Sequence, residues 1–362
     1  MKTNLFFLLA LLGATYVGQA QTHQCQHAHC KLKGVHENRF SFVPPPENFV
    51  PGAQRDVIIS VNYNGFTPQA QAAFQYAVDI WASLLTSSVP IQVEATWENI
   101  PGNTLGYAYA NSIHPNVQGA DNDHFHPAAL ANKIAGSDLV PGSVDIVAAF
   151  DSGTSWYFGT DGNTPANQFD FVSVVLHELG HGLGIIGSAD AANGLGSFLN
   201  YPGFDIYDVF VENNGGTDII TYANNSIALA SQLTGNALFW NGSAGVAGNN
   251  GTRPKIYATS PWESGSSYAH LDEATYPTGD PNSLMTPQIG FAEAIHNPGP
   301  ALLGIMEDIG WTTSEGGGGE CQPLALDFEN IPCEDNGNGL LPGVNIIFSI
   351  GGNCVASELC VV

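Results

Sequence analysis

The chain has 362 residues, 44% of them hydrophobic, enough for a sizeable core in one large or two smaller domains. It carries 33 acidic against 8 basic side chains, a formal charge of −25. So acidic a chain is repelled by phosphates and anionic lipid, which argues against nucleic acid and membrane-surface partners.

The N-terminus, MKTNLFFLLALLGATYVGQA, has a basic start, an apolar run from Leu5 to Leu12 and the small-x-small triplet Gly18-Gln19-Ala20. This is the pattern of a signal peptide over residues 1–20, too short to anchor in a bilayer, and it predicts a secreted, extracellular protein. No later apolar run approaches the ~18 residues of a membrane span, so no membrane insertion is expected. Residues 21–54 are polar, histidine-rich and then proline-rich, and read as an exposed leader or pro-segment. VIISVNY at 57–63 reads as a strand. A long helix follows, with Thr67 as its cap, Pro68 at its first position, and Phe74, Ala77, Ile80, Trp81 and Leu84 near helical spacing.

IQVEATW at 91–97 and VDIVAAF at 144–150 read as further strands, and FVSVVLHELGH as a second helix capped by Asp170. Residues 188–269 are rich in Gly, Asn and Ser and read as a large insertion, with DIYDVFVEN strand-like and SIALASQL a short helix. Residues 299–309 form a final helix that Gly310 ends. A Gly-rich linker spans 313–319, and 320–362 read as a small β appendage, incomplete as a sandwich. Strands interleaved with helices make the fold class α+β around a mixed sheet. The cysteines divide into Cys25 and Cys30 near the start and Cys321, Cys333, Cys354 and Cys360 at the end. In an exported chain an even count suggests disulfides: Cys25 with Cys30 locally, and three possible pairings of the last four. The competing use of Cys25 or Cys30 is as a thiolate that blocks a metal in a latent precursor.

Chemistry concentrates in VVLHELGHGLGIIG, residues 174–187. On a helix, residues four apart share a face, so His177 and His181 can reach one ion, with Glu178 beside them to address a zinc-bound water. Each interior glycine costs a helix up to ~1 kcal/mol against alanine, so Gly180 and Gly182 point to close packing beside the metal. Gly184 lies where the chain must leave the helix, in a conformation that glycine adopts without steric cost. Two protein ligands hold zinc weakly, and catalytic zinc usually has three plus water. The third is sought among His270, Glu273, Asp190 and His296. His124 and His126, with Asp121 or Asp123, offer a second and weaker metal cluster that reads better as a polar loop. Asp- and Asn-rich loops leave Ca²⁺ as a secondary ion, although none matches a full calcium loop. Trp156, Tyr157 and Phe158 suit either a substrate cleft or the core.

The HELGHGLG stretch resembles the metzincin clan of zinc endopeptidases, whose compact pattern has a third histidine where this chain has Gly187. GSSYAHLDE around His270 and NSLMTP around Met285 are similar to leishmanolysin-type metzincins and related secreted bacterial proteins, in which an insertion precedes the third histidine. The resemblance covers about residues 55–312. It implies a metzincin-like protease domain with a twisted mixed sheet, Zn²⁺ on His177, His181 and His270, Glu178 as general base, and a turn that places Met285 beneath the metal. The expectation is a secreted zinc endopeptidase with a protein or peptide substrate. The alternatives are an adhesin or binding module with structural zinc, and a metal-dependent hydrolase of a non-peptide bond. Oligomeric state is not readable from the sequence.

Overall fold

The computed structural model describes residues 30–120 and 124–314. The expected signal peptide, Cys25, Asp121, Asp123, most of the linker, the β appendage and its four cysteines lie outside the described residues. The architecture is mixed α+β. Six strands, numbered in chain order, form the main sheet: β1 (Cys30–Val43), β2 (Ile59–Asn64), β3 (Ile91–Glu98), β4 (Thr104–Ala110), β5 (Ile146–Asp151) and β6 (Gln288–Ile295). Their order across the sheet is β6-β1-β4-β5-β3-β2. β2, β3 and β5 run parallel, β4 is antiparallel to β5 and β1, and β1 is parallel to β6.

Helix α1 (Pro68–Leu84) links β2 to β3, as parallel neighbours require. Thr67 accepts the Ala70 amide at its start, and its buried face presents Phe74, Ala77, Ile80, Trp81 and Leu84. In β3 the alternation of IQVEATWE buries Ile91, Val93 and Ala95. Helix α2 (Ala128–Ala135) precedes β5, and α3 (Phe171–Leu183) carries HELGH. The Trp81 indole donates to the Leu176 carbonyl at 2.9 Å and joins α1 to α3. Phe66, Phe74, Phe150, Phe171, Trp97 and Trp156 interlock edge to face or tilted between sheet and helices, so Trp156 belongs to this cluster and is buried.

The glycines of α3 are explained by what faces them. A Cβ on Gly182 would lie 2.4 Å from Ile146 Cγ2 on β5, and one on Gly180 would lie 3.0 Å from Met285 Sδ. Gly182 lets the helix approach β5 more closely than a side chain permits, and Gly180 leaves room for the Met285 sulfur.

The insertion is anchored to the main body. Helix α4 (Ile227–Leu233) fulfils the expected short helix, with Ser226 accepting the Leu229 amide. DIYDVFVEN becomes the end of a two-residue strand at Phe204–Asp205, a 3-10 turn at Ile206–Phe210 and a strand at Val211–Asn213, rather than one strand. Helix α5 (Ser243–Gly248), which the composition hid, packs on the final helix α6 (Pro300–Ile309). A Cβ on Gly304 would lie 2.2 Å from the Ala244 carbonyl oxygen. The Asp308 carboxylate accepts the amides of Ala244 and Gly245 and the Trp240 indole, which locks the insertion to α6.

Three expectations need correction. Residues 30–43 are not an exposed leader: they form β1 inside the sheet, with Cys30, Leu32, Gly34 and Val43 buried. The folded unit therefore starts before residue 55. It also runs to Thr313, because Thr312–Thr313 pairs with Leu85–Thr86. His124 and His126 sit in a strand, His124–Pro127, rather than a loop. No helix among the described residues is long and apolar enough to cross a membrane.

In a solvent-exposed helix, glycine to alanine stabilises by up to ~1 kcal/mol. Gly182→Ala is expected to do the opposite, costing about 1–3 kcal/mol through overpacking against Ile146. Denaturant unfolding measures the sign, and a stabilised variant would show that the contact yields.

Candidate metal centre

Asp170 sets the start of α3. Its Oδ1 accepts the Ser173 amide at 2.8 Å and the Ser173 hydroxyl at 2.6 Å, and its Oδ2 accepts the Thr164 hydroxyl. His296 contacts Asp170 Oδ1 at 2.9 Å, with both side chains fully buried. The Ile295 amide donates to Ser173 Oγ, so the end of β6 and the start of α3 are tied together.

His177 and His181 then project from one face of α3, and Gly184 turns the chain out at φ +129°. That turn has a direct use. It brings the Ile185 carbonyl back to accept the His181 Nδ1–H at 2.7 Å. His177 Nδ1–H donates to the Leu284 carbonyl at 2.6 Å, inside the Ser283–Met285 turn. His270 Nδ1–H donates to the Ser266 carbonyl at 2.7 Å. Because each of these partners is a carbonyl oxygen, which can only accept, each Nδ1 must carry the proton. Each Nε2 is then a bare lone pair in the neutral ring.

Those three Nε2 atoms converge, at 3.1 Å between His177 and His181 and 3.2 Å from each to His270. No proton is available between them, so the lone pairs repel unless a cation lies among them. Tetrahedral zinc with Zn–N of ~2.0–2.1 Å separates its nitrogens by about 3.3–3.4 Å, close to the spacing found. A set of three imidazoles suits zinc, copper, iron or nickel. Among the described residues this is the group of three His, Cys, Asp or Glu side chains close enough to share an ion. The acidic loops considered for calcium supply no such group there.

The other candidates for a third ligand are engaged elsewhere or placed apart. Glu273 accepts from Arg39 at 2.9 Å, His296 pairs with Asp170, and Asp190 sits in a strand, Ala189–Ala192, on the rim of a cavity. Gly187, where the compact motif has histidine, packs against the His270 segment: a Cβ there would lie 2.2 Å from a Tyr268 ring atom. Met285 is fully buried, and its carbonyl accepts the Leu271 amide at 2.8 Å. The turn bearing Met285 thus holds both His177 and the chain next to His270.

Glu178, next to His177 in α3, is fully buried. Its Oε1 accepts the Leu32 amide of β1 at 3.1 Å, while Oε2 has no hydrogen-bond partner. Burial pushes the carboxyl well above the ordinary range, and the backbone amides of Leu32 and Ala108 only partly offset this. A Cβ on Gly106 would lie 3.3 Å from Glu178 Cγ, so β4 leaves room for this side chain. Burial holds His181 down at about 4, and it holds His177 and His270 well below 6.5, helped by their mutual proximity.

Sequence reasoning missed Asp208. It is fully buried and pushed up to about 7 by burial and by Asp205. Its Oδ1 accepts the Ser188 amide at 2.9 Å and the Tyr268 hydroxyl at 3.0 Å, and its Oδ2 accepts the Ser188 hydroxyl. Tyr268 itself holds a left-handed backbone, φ +77°. Asp208 therefore joins the chain leaving α3 to the chain arriving at His270. Nothing in the string DIYDVFVEN signals this, since the carboxylate acquires its partners only in three dimensions.

Zinc binding requires neutral imidazoles, so affinity falls with pH only once the rings protonate. Three ordinary histidines of pKa ~6.5 would lose several hundred-fold in affinity between pH 7 and 5.5. Burial lowers all three rings here, so the affinity is expected to fall much less, by under tenfold. A competition titration with a chelator of known pH dependence checks this; a loss of several hundred-fold would mean that burial does not hold the rings neutral.

Comparison with known proteins adds little to this geometry. A family model described as SPBPB7E8-like matches residues 66–242, just under half of the chain. The match takes in α1, α3 with His177, Glu178 and His181, and much of the insertion, and it ends before His270. No curated protein and no solved structure matches the chain.

Proposed function

We propose that the chain is a zinc-dependent endopeptidase of metzincin type, with His177, His181 and His270 holding the metal and Glu178 as general base. The observation that carries this reading is the convergence of three bare imidazole nitrogens on one point, two of them from the helix that also carries the buried Glu178. The mixed sheet, long helix α1, HELGH helix, Met285 turn and terminal helix support the same reading. The expected signal peptide, if removed on export, makes the protein extracellular.

Bound zinc supplies a Lewis acid that polarises a peptide carbonyl and lowers the pKa of water to ~7. The remaining steps belong to the protein. Glu178 Oε2, with no donor to satisfy it, accepts a proton from the attacking water. Burial has raised its proton affinity, so it holds that proton and delivers it to the leaving amine nitrogen. The Leu284, Ile185 and Ser266 carbonyls fix the tautomer and aim of the three rings, which also raises their basicity. Met285 packs under α3 against Gly180 and needs no contact with substrate.

A purely structural metal site would have no use for Glu178. A buried carboxylate with an oxygen that lacks a partner costs a fold several kcal/mol, and α3 retains one directly after His177. That observation favours hydrolysis over an adhesin with structural zinc.

Glu178→Gln keeps the size of the side chain and removes the base. It is expected to retain one zinc per chain by elemental analysis while hydrolysis of a denatured protein substrate falls about 10²–10⁴-fold. The parent protein should lose activity to a chelator and regain it with zinc. Zinc-loaded protein with an open site that cleaves no peptide bond would sink this reading.

A further inference from the structure

The space that a side chain at position 187 would need is already taken. A Cβ on Gly187 would lie 2.2 Å from a Tyr268 ring carbon, 2.7 Å from Asp208 Oδ1 and 2.8 Å from a Tyr207 ring carbon. All three of these side chains are buried, Asp208 completely and the two tyrosines to within 1%. Tyr207 and Asp208 are neighbours in the 3-10 turn Ile206–Phe210, inside the insertion. Tyr268 stands two residues before His270.

The turn grips Tyr268 at both ends. The Tyr207 hydroxyl donates to the Tyr268 main-chain carbonyl at 2.9 Å, and the Tyr268 hydroxyl donates to Asp208 Oδ1 at 3.0 Å. The two tyrosine rings meet edge to face, with centroids 5.6 Å apart. Asp208 is fixed in turn by one backbone amide on each oxygen, Ser188 on Oδ1 and Asp205 on Oδ2, at 2.9 and 3.0 Å. An amide N–H can only donate, so both oxygens must be acceptors. A carboxamide of the same shape would leave one of these donors unpaired.

Tyr268 has to be held. Its φ of +77° is sterically disfavoured for a bulky side chain and persists where the surroundings impose it. Its amide donates to the Tyr257 carbonyl at 2.7 Å, and the Tyr257 amide donates to the His270 carbonyl at 2.8 Å. The bend at Tyr268 therefore sets the course of the chain from Ser266, whose carbonyl takes the His270 Nδ1 proton, to His270 itself.

We propose that Tyr207 and Asp208 are positioning residues for the third metal ligand: they clamp Tyr268 in its bend and so hold His270 where it can share an ion with His177 and His181. The insertion that separates His270 from the helix thus also supplies the device that places it, in the space left by Gly187. The proposal rests on the zinc site of the endopeptidase reading and is independent of what Glu178 does.

The test uses the full chain and three measurements. Competition with a chelator gives zinc affinity, the visible absorption of the cobalt(II)-loaded protein reports ligand number and geometry, and thermal unfolding reports the fold. Asp208→Asn is expected to lower zinc affinity about 10–100-fold and to alter the cobalt spectrum. Tyr268→Phe removes one hydroxyl and should lower affinity less, with no further loss when it is combined with Asp208→Asn. Asp145→Asn is the comparison. That buried carboxylate accepts the Gln92 amide on β3 and the Asn132 side chain on α2, so its loss should lower the melting temperature and leave zinc affinity and the cobalt spectrum unchanged. A folded Asp208→Asn chain with the parent's affinity and spectrum overturns the clamp; if that variant does not fold, the same result for Tyr268→Phe overturns it. Additive losses in the double variant, or an equal loss of affinity in Asp145→Asn, overturn it too. A parent chain that takes up no zinc removes the clamp and the endopeptidase reading together. A parent that binds zinc, loses affinity on Asp208→Asn and cleaves no peptide supports the clamp and removes the endopeptidase reading alone.

Discussion

Three unprotonated nitrogens held about 3 Å apart, out of reach of water, are the constraint around which this molecule is organised. Left alone they repel, so the fold must hold each ring against that repulsion. It does so through the far side of each imidazole, where a backbone carbonyl takes the Nδ1 proton. The three carbonyls come from three unrelated places: the Met285 turn, the exit from α3 and the loop before His270. The geometry of the centre therefore depends on the positions of distant loops as well as on the helix that carries two of the three histidines.

Much of the remaining structure serves to hold those loops. Asp170 and Ser173 bind the start of α3 to the end of β6, and Asp208 binds its exit to Tyr268. Gly180 and Gly182 let α3 settle onto Met285 and β5, and Gly187 lets the His270 segment close in. The insertion is part of this arrangement, because it delivers Tyr268 and His270 and is itself fastened to α6 through Asp308.

The local half of this organisation was legible in the sequence. Helical spacing in 67–85 and 170–183, alternation in 91–97 and the cap at Thr67 reflect short-range rules that neighbouring residues satisfy by themselves. His177, Glu178 and His181 were readable for the same reason. His270 and Met285 needed the family resemblance, because nothing local marks a residue as the partner of one so far away. β1 was misread as an exposed leader: CKLKGVHENRF is polar and basic, and its strand character comes from the two partners that enclose it. β4, β6, α2 and α5 were not anticipated, since their small and polar residues acquire burial only from tertiary context. Asp208 is the extreme case, a carboxylate whose role is entirely a matter of which backbone groups surround it.

The partners of β1 have a consequence for how the chain folds. The first described strand completes its pairing only with β6, at residues 288–295, near the end of the folded unit. Contacts this distant in sequence carry a large loop-closure cost and slow the search for the native topology. During synthesis residues 30–43 wait for a partner that emerges last, while β4 keeps an unpaired edge of the kind that invites aggregation. The strand that spans β4 and β6 is thus made of the earliest described residues and one of the latest partners, and the Leu32 amide that reaches Glu178 lies on it.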